Sequence, residues 1–191
     1  CGLPFLTSGN FERFSAQART NVKKILSDDF DYFITDCASC QWAWKEYAKY
    51  IDDAKLKEKL EKIEFKNIYE LISESNLEFE YKKPYKVTFH KPCHEENIEY
   101  LEKILSKCKN IEYTQMDGME DCCGFSGLTK PKNFSTVSKI CNSKSENIKK
   151  TKSDYVLTSC FGCVLSLNLI TLFTPKTKPI RLIKFLGKSK F

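Results

Sequence analysis

Two short runs of β-branched and aromatic residues recur in this chain, each introduced by an acid and closed by a cysteine. Asp31-Tyr-Phe-Ile-Thr-Asp-Cys37 matches Asp154-Tyr-Val-Leu-Thr-Ser-Cys160 almost residue for residue. Such runs predict short strands. Each leads into an apolar stretch with helical character, Gln41-Trp-Ala-Trp-Lys-Glu-Tyr47 in the first copy and Val164-Leu-Ser-Leu-Asn-Leu-Ile170 in the second. A helical pattern also lies upstream of each strand. Asn10 and Asn133 are placed as N-caps, each followed by a phenylalanine. Phe11, Phe14, Ala18, Val22 and Ile25 then recur at helical spacing, as do Val137, Ile140, Cys141 and Ile148.

The stretch between the copies completes the pattern. Asp53 to Leu77 is charged and predicts helix, with Leu56, Leu60, Ile63 and Ile68 on one face. Tyr81 to Pro84 reads as a linker. Tyr85-Lys-Val-Thr-Phe-His-Lys-Pro92 alternates as a strand and ends at Cys93 and His94. Asn97 to Leu105 predicts a helix and Ile111 to Met116 a strand, after which Met116-Asp-Gly-Met119 turns into Cys122-Cys123-Gly124. Strands alternating with helices predict parallel α/β units. The expected fold is therefore α/β. It has two pseudo-repeated lobes, 1–80 and 81–191, with small parallel sheets flanked by helices. Ligands in such sheets gather at the carboxyl ends of strands. Cys37, Cys93 and Cys160 all fall at such ends and should converge.

The repeat is chemical as well as structural. Cys1-Gly2 precedes Cys37-Ala-Ser-Cys40 by 35 residues, and Cys123-Gly124 precedes Cys160-Phe-Gly-Cys163 by 36. The period of about 122 residues indicates a duplicated domain and not a solenoid. The second copy supplies Cys93, Cys122, Cys123, Cys160 and Cys163, one more thiolate than a tetrahedral structural zinc takes. Soft thiolates select zinc, copper(I) or iron–sulfur clusters, and five of them suit a cluster with several irons. Gly124 and Gly162 would let backbone pass close to a bulky inorganic core. Gly124, Ser126 and Gly127 can offer N–H groups to its sulfurs. His90 and His94 flank Cys93, and either can hydrogen-bond a cluster sulfur, donate a proton, or simply pack. Cys108, between lysines, is expected to be an exposed bystander, Cys141 a core residue, and Trp42 and Trp44 packing residues of the first lobe.

Composition narrows the setting. Ten cysteines in 191 residues fit either a disulfide scaffold or a reducing compartment with metal, and 41% hydrophobic content removes the need for staples. The stretch from Cys163 to Phe173 is shorter than the roughly 20 residues a membrane span takes. There is no signal-peptide pattern. The net charge of +6 resides in the segment from Leu172 onward, which carries Lys176, Lys178, Arg181, Lys184, Lys188 and Lys190 without an acid. A solvated end is the simpler reading and a docking surface for an acidic partner or anionic lipid the sharper one. No nucleic-acid motif, nucleotide-binding glycine loop or nucleophile motif is evident.

The order Cys93, Cys122-Cys123-Gly124, Cys160-x-x-Cys163 resembles the cysteine-rich CCG domain. That domain occurs in glycolate oxidase iron–sulfur subunits, heterodisulfide reductase B subunits and lactate-utilisation iron–sulfur proteins. Phe89-His-Lys-Pro-Cys-His94 resembles the strand end carrying its first cysteine, and Asp121-Cys-Cys-Gly-Phe-Ser-Gly127 its paired-cysteine loop. The resemblance implies an iron–sulfur cluster, of [4Fe-4S] type, on Cys93, Cys122, Cys123, Cys160 and Cys163. It implies a second, incomplete set in Cys1, Cys37 and Cys40. In the tandem pattern further cysteines precede Cys1, so the chain is expected to start inside a longer protein. The implied activity is that of an oxidoreductase subunit. It would pass electrons from a flavoprotein dehydrogenase of a 2-hydroxy acid, glycolate or lactate, to a quinone pool or another acceptor. Its place would be the cytoplasm, or the inner face of the membrane as a peripheral subunit. Cys-Gly-Leu-Pro-Phe-Leu6 leans toward the glycolate oxidase type. The alternatives are thiol–disulfide chemistry at the cluster, with His90 or His94 as acid, and a structural zinc module.

Overall fold

Two parallel sheets carry the repeat in the computed structural model, which describes residues 1–28, 30–124, 133–173 and 176–190. In the smaller sheet β1 (Tyr32–Thr35) pairs with β2 (Glu64–Asn67), from Tyr32 opposite Glu64 to Thr35 opposite Asn67. The larger sheet contains β3 (Phe79–Phe89), β4 (Cys108–Tyr113), β5 (Tyr155–Thr158) and β6 (Lys178–Arg181), in the order β4-β3-β5-β6. All three of its ladders are parallel. The β5–β6 ladder runs from Tyr155 opposite Lys178 to Thr158 opposite Arg181, so it repeats the four-residue ladder of β1 and β2.

Nine helices are seen among the described residues: α1 (Leu3–Thr7), α2 (Phe11–Ile25), α3 (Ala38–Tyr50), α4 (Ala54–Glu61), α5 (Ile68–Glu74), α6 (Glu99–Ser106), α7 (Phe134–Thr151), α8 (Phe161–Ile170) and α9 (Leu182–Leu186). Asn10 caps α2 as its sequence position predicts, its side chain accepting from the Arg13 N–H at 3.1 Å. Asn133 occupies the same place before α7 without a side-chain cap bond. No helix among the described residues is long and apolar enough to cross a membrane.

Three cores hold these elements. The first packs Phe14, Ala18 and Val22 of α2 against Ala43, Trp44 and Tyr47 of α3 and Leu56 and Leu60 of α4. Trp44 stacks on Phe33 with ring centres 4.9 Å apart. The second packs Val87 and Phe89 of β3 with Leu157, Ile180, helix α6 and the Phe185 side of α9. Each large side chain so buried contributes about 1.5–3 kcal/mol relative to exposure. The third is made of sulfur as much as carbon: Cys37, Cys123, Cys160 and Cys163 with Met116, Ile148, Val156, Leu167 and Ile170.

Several sequence expectations are corrected. Asp53 to Leu77 is not one helical stretch: β2 interrupts it, and α5 packs Tyr69 and Ile72 into the second core. Tyr81 to Pro84 is not a linker but part of β3, with Tyr81 buried. The ladder to β4 shifts register between Glu80 and Tyr85, which is where Pro84, lacking an N–H, can be tolerated. The basic end is no mere solvated tail. It forms β6 and α9 and buries Ile180, Leu182, Phe185 and Leu186, while its lysines face solvent. Cys108 is half-buried at the start of β4 and donates to the Ile104 carbonyl at 3.2 Å.

Candidate metal centre

The site is built where two helices begin. Cys37 follows β1 and Cys160 follows β5, and each is the N-cap of the next helix in extended backbone, φ −131°, ψ 111° and φ −130°, ψ 127°. Neither thiol caps its own helix. The two starts are tied to each other. The Ala38 N–H donates to the Ser159 carbonyl at 2.9 Å, and the Phe161 N–H reaches the Cys37 sulfur. Cys37 and Cys160 are hydrogen-bonded, so the Cys-x-x-Cys of one copy abuts that of the other.

The remaining thiols extend this contact. Cys40 is hydrogen-bonded to Cys37 and Cys163 to Cys160, and Cys123 Sγ lies 3.4 Å from Cys163 Sγ. Cys122 accepts from the Gly124 N–H at 3.3 Å. Cys93 and Cys1 stand at the exposed rim. Cys93 lies 4.0 Å from His94 Nδ1 and feels the charge of Cys123. The Cys1 carbonyl accepts from the Tyr47 hydroxyl at 2.8 Å, and its amino group is near enough to Cys40 to act on its ionisation. Cys37, Cys40, Cys122, Cys123, Cys160 and Cys163 are thus brought together. Gly124 has φ +75°, and a Cβ there would meet Cys141 Sγ at 2.7 Å. The tight approach at Gly124 in this structure is therefore to Cys141. Ser126 and Gly127 lie outside the described residues.

Crowding decides the electrostatics. Cys37 is pulled well below the ordinary thiol range, chiefly by hydrogen bonds from Cys160 and Cys40, with backbone N–H groups helping and burial opposing. The neighbours are pushed the other way. Cys163 is raised by Cys123 and Cys160 and by burial, Cys122 by Cys123 and burial, and Cys40 by Cys37 and burial. The Cys163 contact lowers Cys160, but Cys37 and burial outweigh it. Packed thiols cannot all ionise unless a cation neutralises them, and a bound metal ion deprotonates a coordinating thiol outright.

The two histidines separate in role. His90 is 0% exposed, and neither ring nitrogen has a hydrogen-bond partner. A ring nitrogen of His90 and the sulfurs of Cys123 and Cys163 lie within 4.8 Å of one another. His94 stacks on Trp42 with ring centres 4.7 Å apart, so Trp42 reaches beyond its own core. Ser39 Oγ is 3.3 Å from His94 Nδ1 and 3.0 Å from Cys160 Sγ. Burial lowers the His94 pKa against the opposing charges of Cys37 and Cys123.

Sequence reasoning missed three polar groups. Ser39 lies inside the first Cys-x-x-Cys, where the interval alone gives it no role. Glu95 is buried, accepts from Ser159 Oγ and from Asn67 Nδ2 (3.3 Å), and has its pKa raised by burial. Lys144 is buried on α7, and its place on an apolar stripe was the available signal.

The donor set fits a soft metal centre. Six thiols meet, and a buried imidazole without a partner faces two of them. A fully buried, unpaired polar group is otherwise unfavourable by about 1–3 kcal/mol. The chain belongs to the family defined by the cysteine-rich CCG domain, whose model matches residues 1–45 and 87–168. Among curated proteins it is similar to lactate utilization protein A of Bacillus subtilis, 25% identical over 179 residues. The protein of that name from Bacillus cytotoxicus is 24% identical over 180 residues. Each alignment covers 87% of this chain and 73% of the relative. Lactate utilization protein A of Oceanobacillus iheyensis is 29% identical over 86 residues, which is 43% of this chain and 35% of that protein.

Proposed function

We propose that this chain is an iron–sulfur electron-transfer component of a lactate-oxidising system, with the flavin chemistry carried by a partner subunit. The observation that carries the proposal is the meeting of cysteines from both copies, with the unpartnered His90 facing Cys123 and Cys163. Of the two hydroxy acids implied by the family resemblance, lactate is the one named in the relatives. The two lobes, 1–80 and 81–191, each contribute one cysteine set. Cys93, Cys122, Cys123, Cys160 and Cys163 would hold a cluster of [4Fe-4S] type, and Cys1, Cys37 and Cys40 would form part of a second site. Held by these thiolates, such a cluster would supply one-electron transfer. Around it the chain would supply thiolates and the buried His90 ring beside Cys123 and Cys163, with the Trp42–His94 stack packed nearby. A quinone or another acceptor outside the chain would take the electrons, from a cytoplasmic or peripheral membrane position.

The proposal is tested by optical titration of protein purified without oxygen. A visible absorption that bleaches with a one-electron reductant and returns with a quinone analogue is expected. A colourless protein with no redox-active absorption would overturn it.

A further inference from the structure

Lys144 occupies a place that α7 reserves for an apolar side chain. Val137, Cys141, Lys144 and Ile148 fall at i, i+4, i+7 and i+11 on one stripe. Lys144 is 1% exposed. An ammonium group so placed is unfavourable unless it is hydrogen-bonded and its charge is met. Its Nζ donates to the Gly118 carbonyl. That carbonyl also accepts the Asp121 N–H at 3.0 Å, closing the turn that delivers Cys122 and Cys123. Gly118 has φ +60°, and a Cβ there would lie 2.0 Å from Asp121 Oδ2, so the carboxylate sits directly over the glycine. Burial pulls the lysine pKa down, and Asp121, Cys123, Cys122 and Cys163 all act to keep it charged. Three of those four groups are thiols of the cysteine centre.

We infer that Lys144 is a buried cation matched to the negative charge of the loaded cysteine centre, and that it positions the Cys122–Cys123 turn through the Gly118 carbonyl. The inference rests on the iron–sulfur reading above. Reduction adds an electron to the centre, so a cation held nearby favours the reduced form and raises the midpoint potential. Hydrogen bonding, net charge and burial set such potentials.

The test compares the wild-type chain with Lys144→Met, Lys144→Gln and Lys144→Arg, all purified without oxygen. Three quantities are read: iron per chain, midpoint potential by titration followed with electron paramagnetic resonance, and denaturant stability of the metal-free form. Lys144→Met and Lys144→Gln are expected to shift the reduction equilibrium about tenfold toward the oxidised form, about 59 mV for one electron. Lys144→Arg is expected to keep the wild-type potential. The metal-free Lys144→Met variant is expected to be less stable than wild type, because the bond to the Gly118 carbonyl is gone. Should it fail to fold, Lys144→Gln carries the test, keeping an N–H donor for Gly118 and losing only charge. An unchanged potential in iron-loaded Lys144→Gln overturns the inference and leaves a structural tie. Wild-type protein without iron overturns the iron–sulfur reading instead.

Discussion

Gly124 shows what a single position in this site tolerates. Its φ of +75° is open to glycine, and Cys141 Sγ would stand 2.7 Å from any added Cβ. Gly124→Ala is therefore expected to destabilise the metal-free chain by roughly 1–3 kcal/mol. Chemical denaturation measures this, and Cys141→Ala in the same chain should recover part of the loss. Cys108 gives a second prediction of opposite character. Burial pushes its thiol up to about 11 from the usual 9.0, with a Tyr81 contact opposing. A raised acid favours the neutral form in the folded state. Its contribution to stability is present in full below pH 9.0 and lost as pH rises through about 11. At pH 8 its alkylation should be slower in the folded than in the unfolded chain, as mass spectrometry of labelled peptides would record. Equal rates would contradict the burial account. The cysteine pattern was legible because the spacing of cysteines is written in the sequence. Surroundings were not: the flanking Lys107 and Lys109 suggested exposure for Cys108, whereas the interior of the β3–β4 region decides it.

Elements were legible where the repeat displayed them twice. Both strand runs, both following helices and the Asn10 cap fall where periodicity and capping place them. Elements between the copies were less so. Glu64–Asn67 is a charged four-residue strand with no alternation of its own, and pairing with β1 makes it a strand. Helix α8 was visible as apolar, but its buried face was not, since it is apolar nearly all round. Ser166 and Leu167 are buried, whereas Phe161, Leu165 and Leu169 face solvent. Helix α5 depends on a residue distant in sequence. Lys107 Nζ donates to the carbonyls of Ile72 (3.2 Å), Ser73 (2.6 Å) and Ser75 at the C-terminal end of the helix. A cation there satisfies orphan carbonyls and opposes the helix dipole. Lys107→Met is expected to lower stability by about 1.5–3 kcal/mol, the worth of a charged hydrogen-bonding group. A denaturation midpoint equal to that of wild type would contradict this role.

At the scale of the molecule, the duplication joins its two copies through sulfur. The Ala38–Ser159 bond, the Cys37–Cys160 contact and the Arg181–Asp36 pair at 2.6 Å all link residues of the first copy to residues of the second. Arg181 and Asp36 are each about a third exposed, so that pair contributes on the order of 1 kcal/mol or less. The third core contributes more, and in it neighbouring thiols and burial push Cys163 up. Of the three strand-end cysteines expected to converge, Cys37 and Cys160 touch, while Cys93 stands exposed. Contact between the Cys-x-x-Cys of one copy and that of the other was not foreseen, because periodicity fixes the order of elements within a copy and says nothing of how the copies face. The direct test is metal and sulfide analysis with electron paramagnetic resonance on wild-type protein that has never met oxygen. Iron with acid-labile sulfide, a paramagnetic signal in one redox state, and loss of both in Cys123→Ala and Cys163→Ala are predicted. Zinc without iron, in protein so prepared, would contradict the account.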